Sequence, residues 1–253
     1  MSPENFNMDY FDIFLLFASV ILSGGVYFFI KNPSKNFLKL LLSFSGAFLF
    51  AITVLHLMPE VYKNSGASIG IWIMLGFFLQ IVLELFSEGI EHGHIHVHSH
   101  HHGAFPLTMM ISLSLHSFLE GMPLATVSEI GSTHDHSHGH SLLYGIMLHH
   151  IPVAFALVSM LIASGVSKAK TFIYLVIFAS MAPIGALIGI LFQEQALGNF
   201  ENYYNNIMAL VIGIFLHIST TILFESGSDH RFNIYKLMAI TTGGLIGIFS
   251  FGL

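Results

Sequence analysis

Eight runs of apolar residues, near 10–30, 37–59, 68–89, 104–127, 142–165, 171–192, 205–225 and 234–252, divide this chain into segments that carry almost no charge. A helix rises about 1.5 Å per residue, so about 20 apolar residues are needed to cross some 30 Å of hydrocarbon. In lipid, every backbone polar group must be satisfied within the protein, which leaves helices and closed barrels as the only spanning structures. Runs of this length predict an all-α polytopic membrane protein with eight transmembrane helices, forming a single transmembrane domain over residues 1–253.

Composition agrees. Of the 253 residues, 54% are hydrophobic and 9% charged, against about 25% charged in soluble domains. The net charge of -6 is scattered through short loops and forms no basic face, so no nucleic-acid partner is expected; the lipid bilayer is. There are no cysteines, which excludes disulfides, thiolate metal sites and sulfur redox chemistry. Any metal must be held by nitrogen and oxygen. The segment from Met1 to Asp12 is acidic and lacks Lys and Arg, so the first apolar run reads as a span rather than a cleaved signal peptide.

The basic residues orient the spans. Lys31, Lys35 and Lys39 fall between spans one and two, Lys168 and Lys170 between five and six, and Arg231 and Lys236 between seven and eight; only Lys63 falls on the other face. This pattern predicts both termini outside the cytoplasm, in a plasma (inner) membrane. Two loops are rich in histidine. Residues 92–102 carry His92, His94, His96, His98, His100, His101 and His102 on the expected cytoplasmic side, and residues 132–141 carry His134, Asp135, His136, His138 and His140 on the outer side. Many imidazoles on a loop can hold borderline metals weakly near a pore mouth; the plainer reading is a solvated linker. An internal echo links Gly46, Phe48, Leu49, Thr53 and Glu60 of span two to Gly213, Phe215, Leu216, Thr220 and Glu225 of span seven. These spans cross in opposite directions, as an inverted repeat of spans one to three and six to eight would have them.

Two pairs of ionisable residues lie inside spans. His116 and Glu120 are four residues apart, on one face of span four. His149 and His150 lie in span five. A charged or ionisable group in hydrocarbon costs roughly 2.5–3.5 kcal/mol on insertion scales, so such residues usually face a pathway or ligand. Imidazole with carboxylate is a transition-metal ligand set. With span four running outward and span five inward, both pairs lie about 10 Å below the outer boundary at about 1.5 Å per residue and can meet. Ser117 is a possible additional oxygen ligand, and Pro123 and Pro152 follow the two pairs, each removing one helical hydrogen bond. The competing reading of His116 and Glu120 is a hydrogen bond that only joins helices. His56 and His217 read as packing histidines, Met122 and Met147 as core. Glu84, Glu88 and Glu91 read as a solvated helix end, with a metal role at the exit side as the alternative.

The run His116-Ser117-Phe118-Leu119-Glu120-Gly121 resembles the fourth-helix signature of the Zrt- and Irt-like (ZIP) metal transporters, and His149-His150-Ile151-Pro152 their fifth-helix signature. His56-Leu57-Met58-Pro59-Glu60, Ala182-Pro183-Ile184-Gly185 and Gly213-Ile214-Phe215-Leu216 extend the likeness over most of the chain. The resemblance implies a 3+2+3 bundle, a site between helices four and five, and movement of zinc, or of iron, manganese or cadmium, toward the cytoplasm. The metal is then cargo, with no catalytic cofactor. The sequence departs from the family after the fifth-helix proline, where Val153 and Ala154 replace the usual acidic or histidine ligand, and in helix four, where Ser117 replaces Asn. The implied centre is a single metal site of His116, Glu120, His149 and His150. The alternatives are a membrane-embedded metalloenzyme, disfavoured because the chain has no His-Glu-x-x-His run, and a metal sensor without flux. A homodimer is compatible with this plan, though the sequence sets no oligomeric state.

Overall fold

Each apolar run forms a helix, and the computed structural model describes residues 10–29, 35–87, 105–125, 138–195, 200–225 and 234–250. Helix α1 (Tyr10–Val26) is followed by α2 (Lys35–Ile52), which passes through a π turn (Thr53–Leu57) into α3 (Met58–Ser65). Pro59 cannot donate to the Leu55 carbonyl. The π turn just before it absorbs the mismatch, with Met58 N–H bonded to the Thr53 carbonyl, and the rod continues unbroken. Gly66, at φ 69°, ends it with a backbone bond to Tyr62, and a 3-10 turn (Ala67–Ile69) leads into α4 (Gly70–Ser87). Then come α5 (Phe105–Gly121) with a 3-10 turn (Met122–Ala125), α6 (His138–Ala163), α7 (Lys168–Gln195), α8 (Phe200–Glu225) and α9 (Ile234–Phe249).

The protein is an all-α polytopic membrane protein, with no strand among the described residues. Among the described residues, five helices are long and apolar enough to cross a bilayer: Asn36–Lys63, Ala67–Ser87, Leu142–Ala163, Lys168–Phe192 and Tyr204–Phe224. Their outward faces carry large exposed apolar side chains such as Ile71, Phe78, Leu85, Leu187 and Leu191, a pattern a soluble monomer could not tolerate. Two expectations shift. Helical structure in span four ends at Gly121 and tightens to a 3-10 turn, because Pro123 cannot extend it. The loop 132–141 gives way to α6 from His138. The histidine tract 92–102 and residues 132–137 lie outside the described residues.

The helices associate in two groups. The most extensive packing joins α2 to α9 and α4 to α8, and then α5 to α7 and α1 to α6, with α1 also against α7. One group is therefore α1, α5, α6 and α7, and the other α2, α4, α8 and α9, with α2 packed on α6 as extensively as α1 is on α7 to join them. Val20, Met109, Leu113, Leu157, Leu175 and Phe178 form the apolar core of the first. Exchanging α1 with α7, α2 with α8, α4 with α9 and α5 with α6 maps these pairings onto one another, the pattern an inverted repeat requires. The echoed threonines behave alike: Thr53 donates to the Leu49 carbonyl at 2.7 Å and Thr220 to the Leu216 carbonyl at 2.6 Å.

Glycines let backbones touch inside each group. A Cβ at Gly121 would run into the Ala182 carbonyl, one at Gly185 into the Phe118 carbonyl, one at Gly76 into the Leu210 carbonyl, and one at Gly243 into the Phe44 carbonyl. Small residues give membrane helices their close packing, since lipid leaves little hydrophobic drive for association. Between the groups, Gly145 meets only the side chains of Ile52, Phe48 and Leu49. Gly185→Ala is expected to lower the melting temperature of the detergent-purified protein, because overpacking of this kind costs about 1–3 kcal/mol. Gly244→Ala, where a Cβ meets nothing within 4 Å, should leave it unchanged in the same differential-scanning measurement.

Candidate metal centre

Helix α5 carries His116 and Glu120 one turn apart on the face turned to α6, and His116 Nε2 lies 3.1 Å from Glu120 Oε1. Helix α6 answers with two consecutive imidazoles. His149 presents its ring to His116, with centroids 6.0 Å apart and planes at 84°. His150, a helical step further round, donates from Nε2 to Glu120 Oε2 at 2.7 Å. The two carboxylate oxygens are thus engaged by different helices, and all four side chains are buried. Phe178 of α7 stands against the His150 ring, centroids 5.6 Å apart, closing the far side.

Three ligand atoms, one each from His116, Glu120 and His149, lie within 4.8 Å of one another, and among the described residues no other group of three such side chains gathers in this way. Bonds of about 2.0–2.2 Å from zinc to nitrogen or oxygen place tetrahedral ligand atoms roughly 3.3 Å apart. Small side-chain rotations would close that gap around one cation. His150 is not one of these three; it donates instead to the far oxygen of Glu120, the geometry of an outer partner that fixes a ligand's orientation. Ser117 Oγ is buried with no hydrogen-bond partner among the described residues, so an oxygen donor sits beside the cluster.

The surroundings explain why the cluster has this size. Val153 and Ala154, one turn beyond the histidines, are sealed in the apolar core with Met109, Met110 and Leu113, and supply no ligand for a second ion. Pro152 lies within α6, which continues to Ala163. Gly121 and Gly185 bring α5 and α7 into backbone contact next to Glu120, which fixes the ligand-bearing end of α5. Met147 packs into an apolar cluster with residues of α2 and α8, as expected of a core methionine.

One contact went unread in the sequence. Glu84, in the last turn of α4 and partly exposed, is also partnered across helices, meeting His217 Nε2 at 2.6 Å. Glu88 and Glu91 lie outside the described residues. The signal available was Glu84 itself, since a carboxylate within a span calls for a partner, and His217 was one of two intramembrane histidines, with His56, outside the cluster. His56 lies in the π turn after α2 and does not join the cluster of ligand atoms.

Fold and site together define a polytopic helical membrane protein with a buried imidazole and carboxylate cluster suited to a divalent transition metal. The chain belongs to the ZIP zinc transporter family, whose sequence profile matches residues 91–250. It is 26% identical over 163 residues to zinc transporter ZIP9-A of Xenopus laevis, covering 63% of this chain and 52% of that protein. It is 27% identical over 163 residues to zinc transporter ZIP9 of Micropogonias undulatus, covering 63% and 51%. With zinc transporter ZupT of Streptococcus mutans it shares 25% identity over 256 residues, covering 93% of this chain and 95% of that one. The chain thus spans about half the length of the ZIP9 proteins it matches.

If His150 orients Glu120, His150→Ala should weaken binding of Co²⁺, read by its absorption spectrum in detergent, by roughly 10–100-fold while leaving the tetrahedral band shape in place. An unchanged affinity would make the contact a packing detail.

Proposed function

We propose that this protein carries zinc, or a similar divalent cation, across a membrane toward the cytoplasm, binding it on the way with His116, Glu120 and His149 while His150 positions the carboxylate. The observation that carries this reading is the convergence of three buried ligand atoms from α5 and α6 in a chain of membrane helices. The names of the ZIP9 and ZupT relatives support zinc as cargo. Nitrogen and oxygen donors also suit Fe²⁺, Mn²⁺ and Cd²⁺, and affinity alone does not select among them.

In this reading all eight apolar helices span, including the shorter α1, α5 and α9, and the distribution of lysines places both termini outside the cytoplasm. The hydrated ion reaches the centre from the outer side, exchanges water for imidazole and carboxylate, and leaves inward. With one carboxylate in the cluster, the centre holds a single ion. Conduction requires binding weak enough to release, and a site with one negative charge meets that need better than a two-carboxylate centre. The histidine tracts 92–102 and 132–141 act as weak metal collectors near the two mouths.

The test is Zn²⁺ flux into vesicles that contain the purified protein. Saturable uptake by the parent should fall at least roughly 10-fold in Glu120→Ala and in His149→Ala, since each removes a ligand rather than an outer partner. Stoichiometric metal binding without flux would support a sensor instead. Uptake should also slow as pH falls from 8 to 5 at constant free Zn²⁺, because protons compete with metal for the imidazole and carboxylate ligands. A rate independent of pH over that range would remove Glu120 as a ligand.

A further inference from the structure

The Glu84 and His217 pair belongs to the other helix group. Both residues sit within spans, Ala67–Ser87 and Tyr204–Phe224, and their donor set is the same imidazole and carboxylate chemistry as the centre between α5 and α6. Phe77, two turns before Glu84 on α4, abuts the His217 ring edge to face, with centroids 4.9 Å apart and planes at 90°. Gln80, one turn before Glu84, is fully buried and adds an amide oxygen on the same helical face.

The position of this pair relative to the first centre follows from one cross-group hydrogen bond. Ser112 of α5 donates to the Leu83 carbonyl of α4, the residue beside Glu84. Ser112, His116 and Glu120 form a ladder on one face of α5 at four-residue intervals, about 6 Å per step. Glu84 therefore lies near the level of Ser112, one step beyond His116 and two beyond Glu120, toward the C-terminal end of α4. With α4 running inward, that is the cytoplasmic side.

We propose that Glu84 and His217 form a second, weaker binding position for the transported divalent cation, which receives it from the centre between α5 and α6 before release. This inference rests on the transport reading above. Two differences suit the pair to release rather than capture. It supplies two strong donors instead of three, and its side chains are 11% and 23% exposed, where those of the first centre are sealed. An ion here would keep part of its water, and an ion that keeps water leaves readily. The hand-over also crosses from one helix group to the other, along an interface bridged by Ser112 and Leu83. A pair serving only to join α4 and α8 would be redundant, since Gly76 and Gly213 already bring those two backbones into contact.

The test uses the full chain with the histidines of residues 92–102 and 134–140 replaced by serine, so that tract binding does not mask the sites. Equilibrium dialysis with Co²⁺ should give two ions per chain. Glu84→Gln and His217→Ala should each lose the weaker ion and keep the tighter one, and Zn²⁺ flux in vesicles should show kcat lowered at least roughly 10-fold with KM changed less than about 2-fold. Glu84→Asp, which keeps the carboxylate, should restore part of the flux. Glu84→Gln is decisive because its amide still accepts a hydrogen bond from His217: a joining role predicts parent-like flux and stoichiometry, and either result overturns the relay. A parent that binds one Co²⁺ per chain overturns it as well. A parent without saturable flux removes the transport reading together with the relay, whereas parent flux that survives Glu84→Gln removes the relay alone.

Discussion

A carboxylate enclosed by protein inside a bilayer must find partners, and Glu120 finds them on two helices at once. His116 from its own helix takes one oxygen and His150 from α6 takes the other. Because each oxygen has its own imidazole, neither helix can rotate or slide without exposing part of a buried charge. The shared carboxylate ties α5 to α6 through side chains, where His149 also approaches His116. Gly121 and Gly185 reinforce the register by letting α5 settle on α7 at the same level.

The division of the bundle into two groups is a second consequence of how membrane helices adhere. Contacts that bring backbone against backbone need glycine, and these fall inside each group, at Gly121 and Gly185 in one and at Gly76, Gly213 and Gly243 in the other. The seam is filled by side chains instead, with Phe48, Leu49 and Ile52 of α2 against Leu142, Leu143 and Ile146 of α6, and Leu38 and Leu42 of α2 with Phe155 and Ala156 of α6. That part of the seam is apolar, while the Ser112 to Leu83 hydrogen bond crosses between the groups at α5 and α4. The imidazole and carboxylate pairs respect the same division, one within each group.

Membership of the ZIP zinc transporter family frames what is particular to this chain. The turn after Pro152, where the family usually places another ligand, is occupied by Val153 and Ala154, both fully buried in the apolar core. The buried donors that gather beside it are His116, Glu120 and His149. Glu84 and His217 then represent the other concentration of ligand chemistry among the described membrane residues, separated from the first by a helix-group boundary rather than shared with it.

Much of this was legible in the chain. Hydrocarbon thickness sets helix length, so eight apolar runs marked the helices to within a few residues, and the four-residue interval from His116 to Glu120 put both on one face before any packing was known. The motifs around His149 and Pro152 did the same for α6. What the sequence could not say was which imidazole binds which oxygen, because His149 and His150 are neighbours in the chain and only the rotation of α6 about its axis sends one to His116 and the other to Glu120. Nor could it pair Glu84 with His217, 133 residues apart; local periodicity places each on its own helix, but a contact between distant helices depends on crossing geometry, which the glycine approaches of α4 and α8 decide. Helix existence is a matter of local transfer energy, readable residue by residue, whereas the metal centre depends on how whole helices are turned toward one another, and that is a property of the assembled bundle.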